Sequence, residues 1–210
     1  MSPITLVCTG DSVTDCGRRD DPDDLGDGYV RRLAAAPELA PVRVVNTGVG
    51  GDLSSDLVKR WDDDVLAHAP AVVSVLIGIN DVWRRYDGAG VVTSAAAFEA
   101  NLRGVLAPLT ARLVLIEPFV VPVSAEQERW AEEDLGAKQS VVRGLAAHLG
   151  AAFVPAQAVM SAAARTEGAA ALAADGVHPT ARGHELLAAA WLSRFGSAST
   201  SWGFEGIRPE

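Results

Sequence analysis

Cysteine is scarce in this chain: Cys8 and Cys16 are the only two among 210 residues. A secreted scaffold held by disulfides carries more pairs in fewer residues, so a reducing, cytoplasmic setting with no bridge is expected. Cys8 lies in an apolar run and reads as a small core residue. Neither sulfur has histidines placed to complete a zinc site, and no metal is expected. Cations are in deficit as well, with 18 Lys and Arg against 27 Asp and Glu and a formal net charge of -9. Binding a phosphate backbone needs clustered Lys and Arg, which excludes nucleic acid as the expected partner. No apolar run approaches the roughly 20 residues that span a bilayer, and the start lacks the basic and long apolar segments of an export signal. A membrane partner is therefore not expected. Acidic residues do gather at residues 18–27 and at Asp62-Asp63-Asp64. They lack the alternating ligand spacing of a calcium loop and read as a solvated loop and an exposed helix face.

What is present is an ordinary globular composition, 49% hydrophobic and 21% charged, enough to build one core. A single domain over residues 1–210 is expected. Apolar runs at residues 5–8, 42–46, 72–77, 113–116 and 152–154 have strand length and are rich in Val and Ile. Little polar alternation marks them, which predicts burial on both faces of a parallel sheet. Between them, residues 28–36, 53–66, 94–106, 125–149 and 180–195 carry helical patterns, and residues 161–174 suggest a short helix followed by a loop. Gly150 is placed as a helix C-terminal glycine and Thr180 as an N-cap. The predicted fold is a three-layer α/β/α sandwich with five parallel strands. The aromatic residues Trp191, Phe195, Trp202 and Phe204 near the end offer a surface for a homo-oligomer.

In an open parallel sheet, loops at the carboxyl ends of the strands converge on one edge. Ser12 follows the first strand, Gly48-Val49-Gly50-Gly51 the second and Gly78-Ile79-Asn80-Asp81 the third, while Asp175-x-x-His178 precedes the last helix. A serine hydroxyl is a poor nucleophile without a base, and His178 is the best placed of four histidines. His68 and His148 fall at helix ends, and His184 falls inside the last helix. Asp175 is close enough to hold one imidazole nitrogen while the other faces Ser12. An oxyanion needs N–H donors, which the main chain of Ser12 and Gly51 and the Asn80 amide can supply. Asp11, Trp83 and Arg84 adjoin these turns and are the candidate substrate contacts, although Arg84 also suits a salt bridge.

These four segments resemble the SGNH, or GDSL, hydrolase superfamily. Gly10-Asp11-Ser12-Val13-Thr14-Asp15 matches its first block, residues 46–52 the second, Gly78-Ile79-Asn80-Asp81 the third and Asp175-Gly176-Val177-His178-Pro179 the last. The resemblance implies a flavodoxin-like fold, with Ser12 as nucleophile, His178 as base, Asp175 as its partner, and Ser12, Gly51 and Asn80 as oxyanion donors. Ser12-Val13-Thr14-Asp15-Cys16-Gly17-Arg18, Gly28-Tyr29-Val30 and the run from Ile77 to Arg84 are similar to a subgroup of intracellular acetylxylan and xylo-oligosaccharide acetylesterases. That likeness implies a small acetylated carbohydrate as substrate and no cofactor. Ala174 stands where the subgroup has a Trp, and the acidic segment after Arg18 is shortened.

Three other readings are weaker. A dinucleotide site fails because Leu53 replaces the third glycine of G-x-G-x-x-G and the motif follows the second strand. A lysophospholipase or acyl-thioesterase would use the same groups on a longer acyl chain. A non-catalytic carbohydrate-binding protein would have no need of every acyl-transfer group that this chain retains.

Overall fold

The computed structural model of the protein describes residues 4–88 and 90–199, with side chains through residue 195. In chain order its elements are β1 (Ile4–Gly10), α1 (Ser12–Asp15), α2 (Tyr29–Ala34), β2 (Val42–Asn46), α3 (Ser54–Lys59) and α4 (Trp61–Asp64). Then follow β3 (Val72–Leu76), α5 (Ile79–Trp83), α6 (Ala95–Leu106), β4 (Arg112–Ile116), α7 (Ala125–Trp130) and α8 (Gly136–Leu149). The chain continues through β5 (Ala152–Val154), α9 (Ala156–Glu167), α10 (Ala169–Leu172) and α11 (Ala181–Ser199). All strand pairings are parallel, in the order β2-β1-β3-β4-β5. The five expected strands are therefore all present, in the expected α/β/α arrangement.

Alternation along each strand divides the core in two. On one face Leu6, Cys8, Val72, Leu76, Val114 and Ile116 pack against Tyr29 and Leu33 of α2, Met160 of α9 and Leu187 and Trp191 of α11. On the other, Val7, Val73, Val75, Leu113 and Leu115 meet Leu57 of α3, Phe98 and Leu102 of α6, and Val142 and Leu145 of α8. Each such side chain contributes roughly 1.5–3 kcal/mol when fully buried. Ser74 is a buried polar residue on the first of these faces, and its hydroxyl accepts a hydrogen bond from Trp191 Nε1 at 2.9 Å. Cys8 is fully buried, which pushes its thiol up to about 12, and both cysteines are free.

Several helices differ from the expected pattern. Residues 53–66 do not form one helix, because the chain breaks at Arg60, with φ -105° and ψ 5°, between α3 and α4. The helical stretch 125–149 contains a π-helical segment, Ala131–Leu135. Residues 161–167 belong to α9, which starts earlier, and residues 169–172 form α10 after a break at Gly168. Gly150 does end α8 at φ 64°, and Thr180 Oγ1 accepts from Gly183 N at 3.3 Å as an N-cap should. Trp191 and Phe195 are 0% and 7% exposed, their rings stacked at 5.1 Å. They fill the core and offer no surface to a second copy, a correction to the expectation above. Trp202 and Phe204 lie outside the described residues.

The chain leaves β1 toward β2 on one side, then returns to place β3 on the other. That reversal makes the gap beyond the carboxyl ends of β1 and β3 a topological switch point, where ligands bind in open α/β sheets. Gly10 is opposite Leu76 in register, so both strands end level and release α1 and α5 into the same crevice.

Candidate active site

Ser12 is the first residue of α1, and Asp11 is that helix's N-cap, its carboxylate accepting from Val13 N at 3.1 Å. The turn is possible because residue 10 is glycine. A Cβ there would lie 1.9 Å from the Leu76 carbonyl oxygen, well inside van der Waals contact. Ser12 Oγ and His178 Nε2 are 2.9 Å apart, and His178 Nδ1 is 2.6 Å from Asp175 Oδ2. Asp175 Oδ1 accepts from Val177 N at 2.9 Å and His178 N at 2.8 Å. Burial alone would raise the Asp175 carboxyl, but the His178 ring and these N–H groups outweigh it and hold it below its ordinary value. An ionised carboxylate can only accept, so Nδ1 carries the imidazole proton and Nε2 is left to accept from the Ser12 hydroxyl. His178 and Asp175 side chains are 45% and 49% exposed, leaving the pair open to a substrate.

The second loop supplies one free donor. Gly48 N donates to Asn46 Oδ1 and Gly50 N to Asp15 Oδ2, each at 2.9 Å. Gly51 N and Ser12 N have no hydrogen-bond acceptor among the described residues. Gly51 adopts φ +84°, a left-handed conformation that a side chain would strain. Asn80 is 4% exposed and uses one amide proton on the Asp52 carbonyl at 3.1 Å, leaving its second for a ligand. Ser12 N, Gly51 N and the second Asn80 amide proton are thus left available as donors, the kind of group that an oxyanion requires.

Trp83 is half-buried at the end of α5, with ring centroids 5.7 Å from Trp130 and 6.2 Å from His178. It stands beside the imidazole as an aromatic wall. Arg84 makes the salt bridge that its sequence position suggested, to Asp87 at 2.7 Å, and its Nη2 lies 3.4 Å from where a Gly51 Cβ would be. Asp11 is different. At 1% exposure it faces the interior as a helix cap, not a substrate, which corrects its assignment as a contact. Burial pushes its carboxyl up to about 7, against the Val13 N–H and with help from nearby Asp81.

His68 and His148 lie at helix ends as expected, and His184 is 3% exposed inside α11. His184 Nδ1 accepts from Tyr29 N at 3.1 Å, which puts any proton of the neutral ring on Nε2, facing Cys16 Sγ at 3.3 Å. Burial, with Arg32 nearby, lowers His184 to about 4. It is a structural link between α11 and the end of α1. Among the described residues no group of three or more His, Cys, Asp and Glu could hold a metal ion. No helix there is long and apolar enough to cross a membrane.

Two supporting residues escape a motif-based reading. Arg60 donates to Asp52 Oδ2 at 2.6 Å, the Thr47 carbonyl at 2.6 Å, the Gly10 carbonyl at 2.8 Å and Asp64 Oδ2 at 2.8 Å. It fastens the loop bearing Gly51 to the strand end bearing Ser12. Gln127 reaches the Asp175 carbonyl at 2.6 Å from α7. Arg60 gives no sequence signal beyond a cation beside Lys59 within the helical pattern 53–66, and Gln127 has none.

Residues 8–186 match the model of the GDSL-like lipase/acylhydrolase family. The chain is 37% identical to an acetylxylan esterase of Geobacillus stearothermophilus, over 91% of this chain and 93% of that protein. A crystal structure of an acetylxylan esterase from that organism is similar with a TM-score of 0.83 and 35% identity, covering 100% of this chain and 98% of the other. A GDSL-like structure from Parabacteroides merdae has a TM-score of 0.85 and 29% identity, covering 93% and 96% of the two chains. The chain is a carboxylic ester hydrolase belonging to the GDSL-like lipase/acylhydrolase family.

Proposed function

We propose that the protein removes acetyl groups from small carbohydrate esters such as acetylated xylo-oligosaccharides, with Ser12, His178 and Asp175 as the catalytic triad. The observation that carries this reading is the unbroken chain from Ser12 Oγ through the His178 ring to Asp175, at 2.9 and 2.6 Å, beside three available N–H donors. Ser12 Oγ attacks the acetyl carbon as His178 Nε2 takes its proton, and the carbonyl electron pair moves onto the oxygen. Ser12 N, Gly51 N and the Asn80 amide stabilise that oxyanion. The imidazolium then protonates the departing sugar oxygen, leaving acetyl-Ser12. Water repeats the sequence, and acetate leaves.

The substrate class is supported by the acetylxylan esterase relative, in which a serine, an aspartate and a histidine are the residues replaced in catalytic mutants. Trp83 offers an aromatic face for a sugar ring at the edge of the site. One domain over residues 1–210 and a cytoplasmic location complete the reading, the latter supported by two free cysteines. The test is acetate release from acetylated xylo-oligosaccharides, other acetylated sugars and octanoyl esters, by wild type and Ser12→Ala. We expect turnover of the sugar acetates and its loss in the variant. A preference for octanoyl esters would overturn the substrate, and an active Ser12→Ala would overturn the mechanism.

A further inference from the structure

The carboxylate of Asp175 is useful only while the main chain beneath it stays in place, and that chain segment is a loop with a half-exposed side chain. Its support comes from the segment after β4, where Phe119, Val120 and Val121 are all buried. Val121 N donates to the Gly176 carbonyl at 2.8 Å. Gln127, on the first turn of α7 and 8% exposed, adds the second tie. Its Nε2 donates to the Asp175 carbonyl at 2.6 Å, and its Oε1 accepts from Val123 N at 2.9 Å. Both ends of the amide are thus engaged, one on each loop. Gly176 lies flat against this side chain at φ +83°, and a Cβ on it would come within 2.3 Å of Gln127 Oε1. On the far side a second, half-buried amide holds the same platform, with Gln157 Nε2 donating to the Val120 carbonyl at 2.9 Å and Oε1 accepting from Val120 N at 3.1 Å.

We propose that Gln127 is a positioning residue for ester hydrolysis, holding the Asp175 carbonyl so that its carboxylate keeps the His178 ring aimed at Ser12. This rests on the Ser12–His178–Asp175 reading above. Gln127 never approaches the substrate. It acts by denying Asp175 the main-chain rotation that would swing Oδ2 away from Nδ1. Displacing a catalytic group by about 1 Å can cost on the order of a hundredfold in rate, so a tie this close to the triad has a kinetic signature distinct from packing.

Gln127→Glu is the informative change, because it keeps the acceptor for Val123 N and removes the donor to Asp175. Gln127→Met removes both. With 4-nitrophenyl acetate, kcat is expected to fall about tenfold to a hundredfold in both variants while KM stays within about twofold. A second readout is the proton magnetic resonance of the hydrogen shared by His178 Nδ1 and Asp175 Oδ2, a short charge-assisted bond. Its downfield signal should be present in wild type and in Ser12→Ala, and broadened or lost in both Gln127 variants. Wild-type kcat and an unchanged signal in Gln127→Glu, with only a lower Tm, would overturn the proposal and leave Gln127 a packing residue. Ser12→Ala and His178→Ala run alongside: if either keeps full activity, the triad itself is wrong and the proposal falls with it.

Discussion

Ser12 Oγ and His178 Nε2 stand 2.9 Å apart although 166 residues separate them in the chain. Topology brings them together. Ser12 begins the helix that leaves β1, the strand beside the central β3, and His178 lies just before α11, which packs on the same face of the sheet as α2. Neither residue is on a long flexible arm. Ser12 is set by the close approach of Gly10 to Leu76, and His178 by the N–H groups that share Asp175 Oδ1. The site is preorganised before a substrate arrives.

Asn80→Ala removes one of the three donors. The amide is 4% exposed and its remaining proton has no acceptor among the described residues, so the loss should fall on the transition state. A missing donor of this kind costs about 2.7–4 kcal/mol of barrier. We expect kcat to drop by roughly a hundredfold to a thousandfold, with KM little changed. Steady-state kinetics on 4-nitrophenyl acetate decide it, and an unaltered kcat would remove Asn80 from the oxyanion site.

Arg60 joins the two halves of that site, and its side chain is only 16% exposed. Arg60→Met removes the donor to Asp52, Asp64 and the Thr47 and Gly10 carbonyls, the last of which keeps Val49 N, and losing a hydrogen bond to a charged group costs about 1.5–3 kcal/mol. Arg60→Lys keeps a charge near Asp52 but cannot reach all four acceptors at once. Urea denaturation should rank stability as wild type, then Arg60→Lys, then Arg60→Met, with kcat following the same order. Equal stability of all three would show that the break between α3 and α4 does not depend on this side chain.

Asp11 makes a signed prediction for pH. Burial raises its carboxyl from 3.8 to about 7, so the folded state holds the proton more tightly than the unfolded chain. Its contribution to stability is fully present below about pH 3.8 and is lost as pH rises through about 7. Asp11→Asn keeps an oxygen for Val13 N and abolishes this loss. The variant should match wild type at about pH 4 and exceed it by on the order of 2–4 kcal/mol at about pH 8. Denaturation curves at the two pH values, with all other ionisations common to both proteins, isolate the effect. No difference at the higher pH would mean that Asp11 ionises inside the fold without cost.

Asp11 also shows where a linear reading stops. A charged residue beside the nucleophile looks like a substrate contact in sequence, because burial is decided by the register of β1 against β3, which no local pattern reports. The inner strands β1, β3 and β4 were legible because they are buried on both faces and so read as nearly continuous apolar runs. The edge strands β2 and β5 are only partly buried and showed by their Val and Phe content. Ser12, Asp175 and His178 were legible because acyl transfer demands those groups and the sheet edge gathers them. Helices α1 and α5 were not, since four or five residues are too few for a 3.6-residue period to show. The break at Arg60 was hidden for a different reason: its cause is a set of acceptors at Gly10, Thr47, Asp52 and Asp64, three of them remote in sequence. Choosing Gly51 over Gly48 and Gly50 becomes a physical statement only once Asn46 and Asp15 are seen to occupy the other two N–H groups.

A substitution at Trp83 tests the proposed sugar contact apart from the acyl chemistry. Its ring is 6.2 Å from His178 and braced by Trp130 at 5.7 Å, so it forms a fixed wall beside the imidazole. An aromatic contact of this type contributes about 0.5–1.5 kcal/mol beyond the area it buries. Trp83→Ala should therefore raise KM for acetylated xylo-oligosaccharides by roughly tenfold, while kcat/KM for 4-nitrophenyl acetate, which has no sugar to lose, stays within about threefold. Trp83→Phe keeps a ring against Trp130 and should fall between the two. If both substrates decline together in Trp83→Ala, the indole supports the His178 ring and does not read the sugar, and the aromatic wall belongs to the scaffold of the triad.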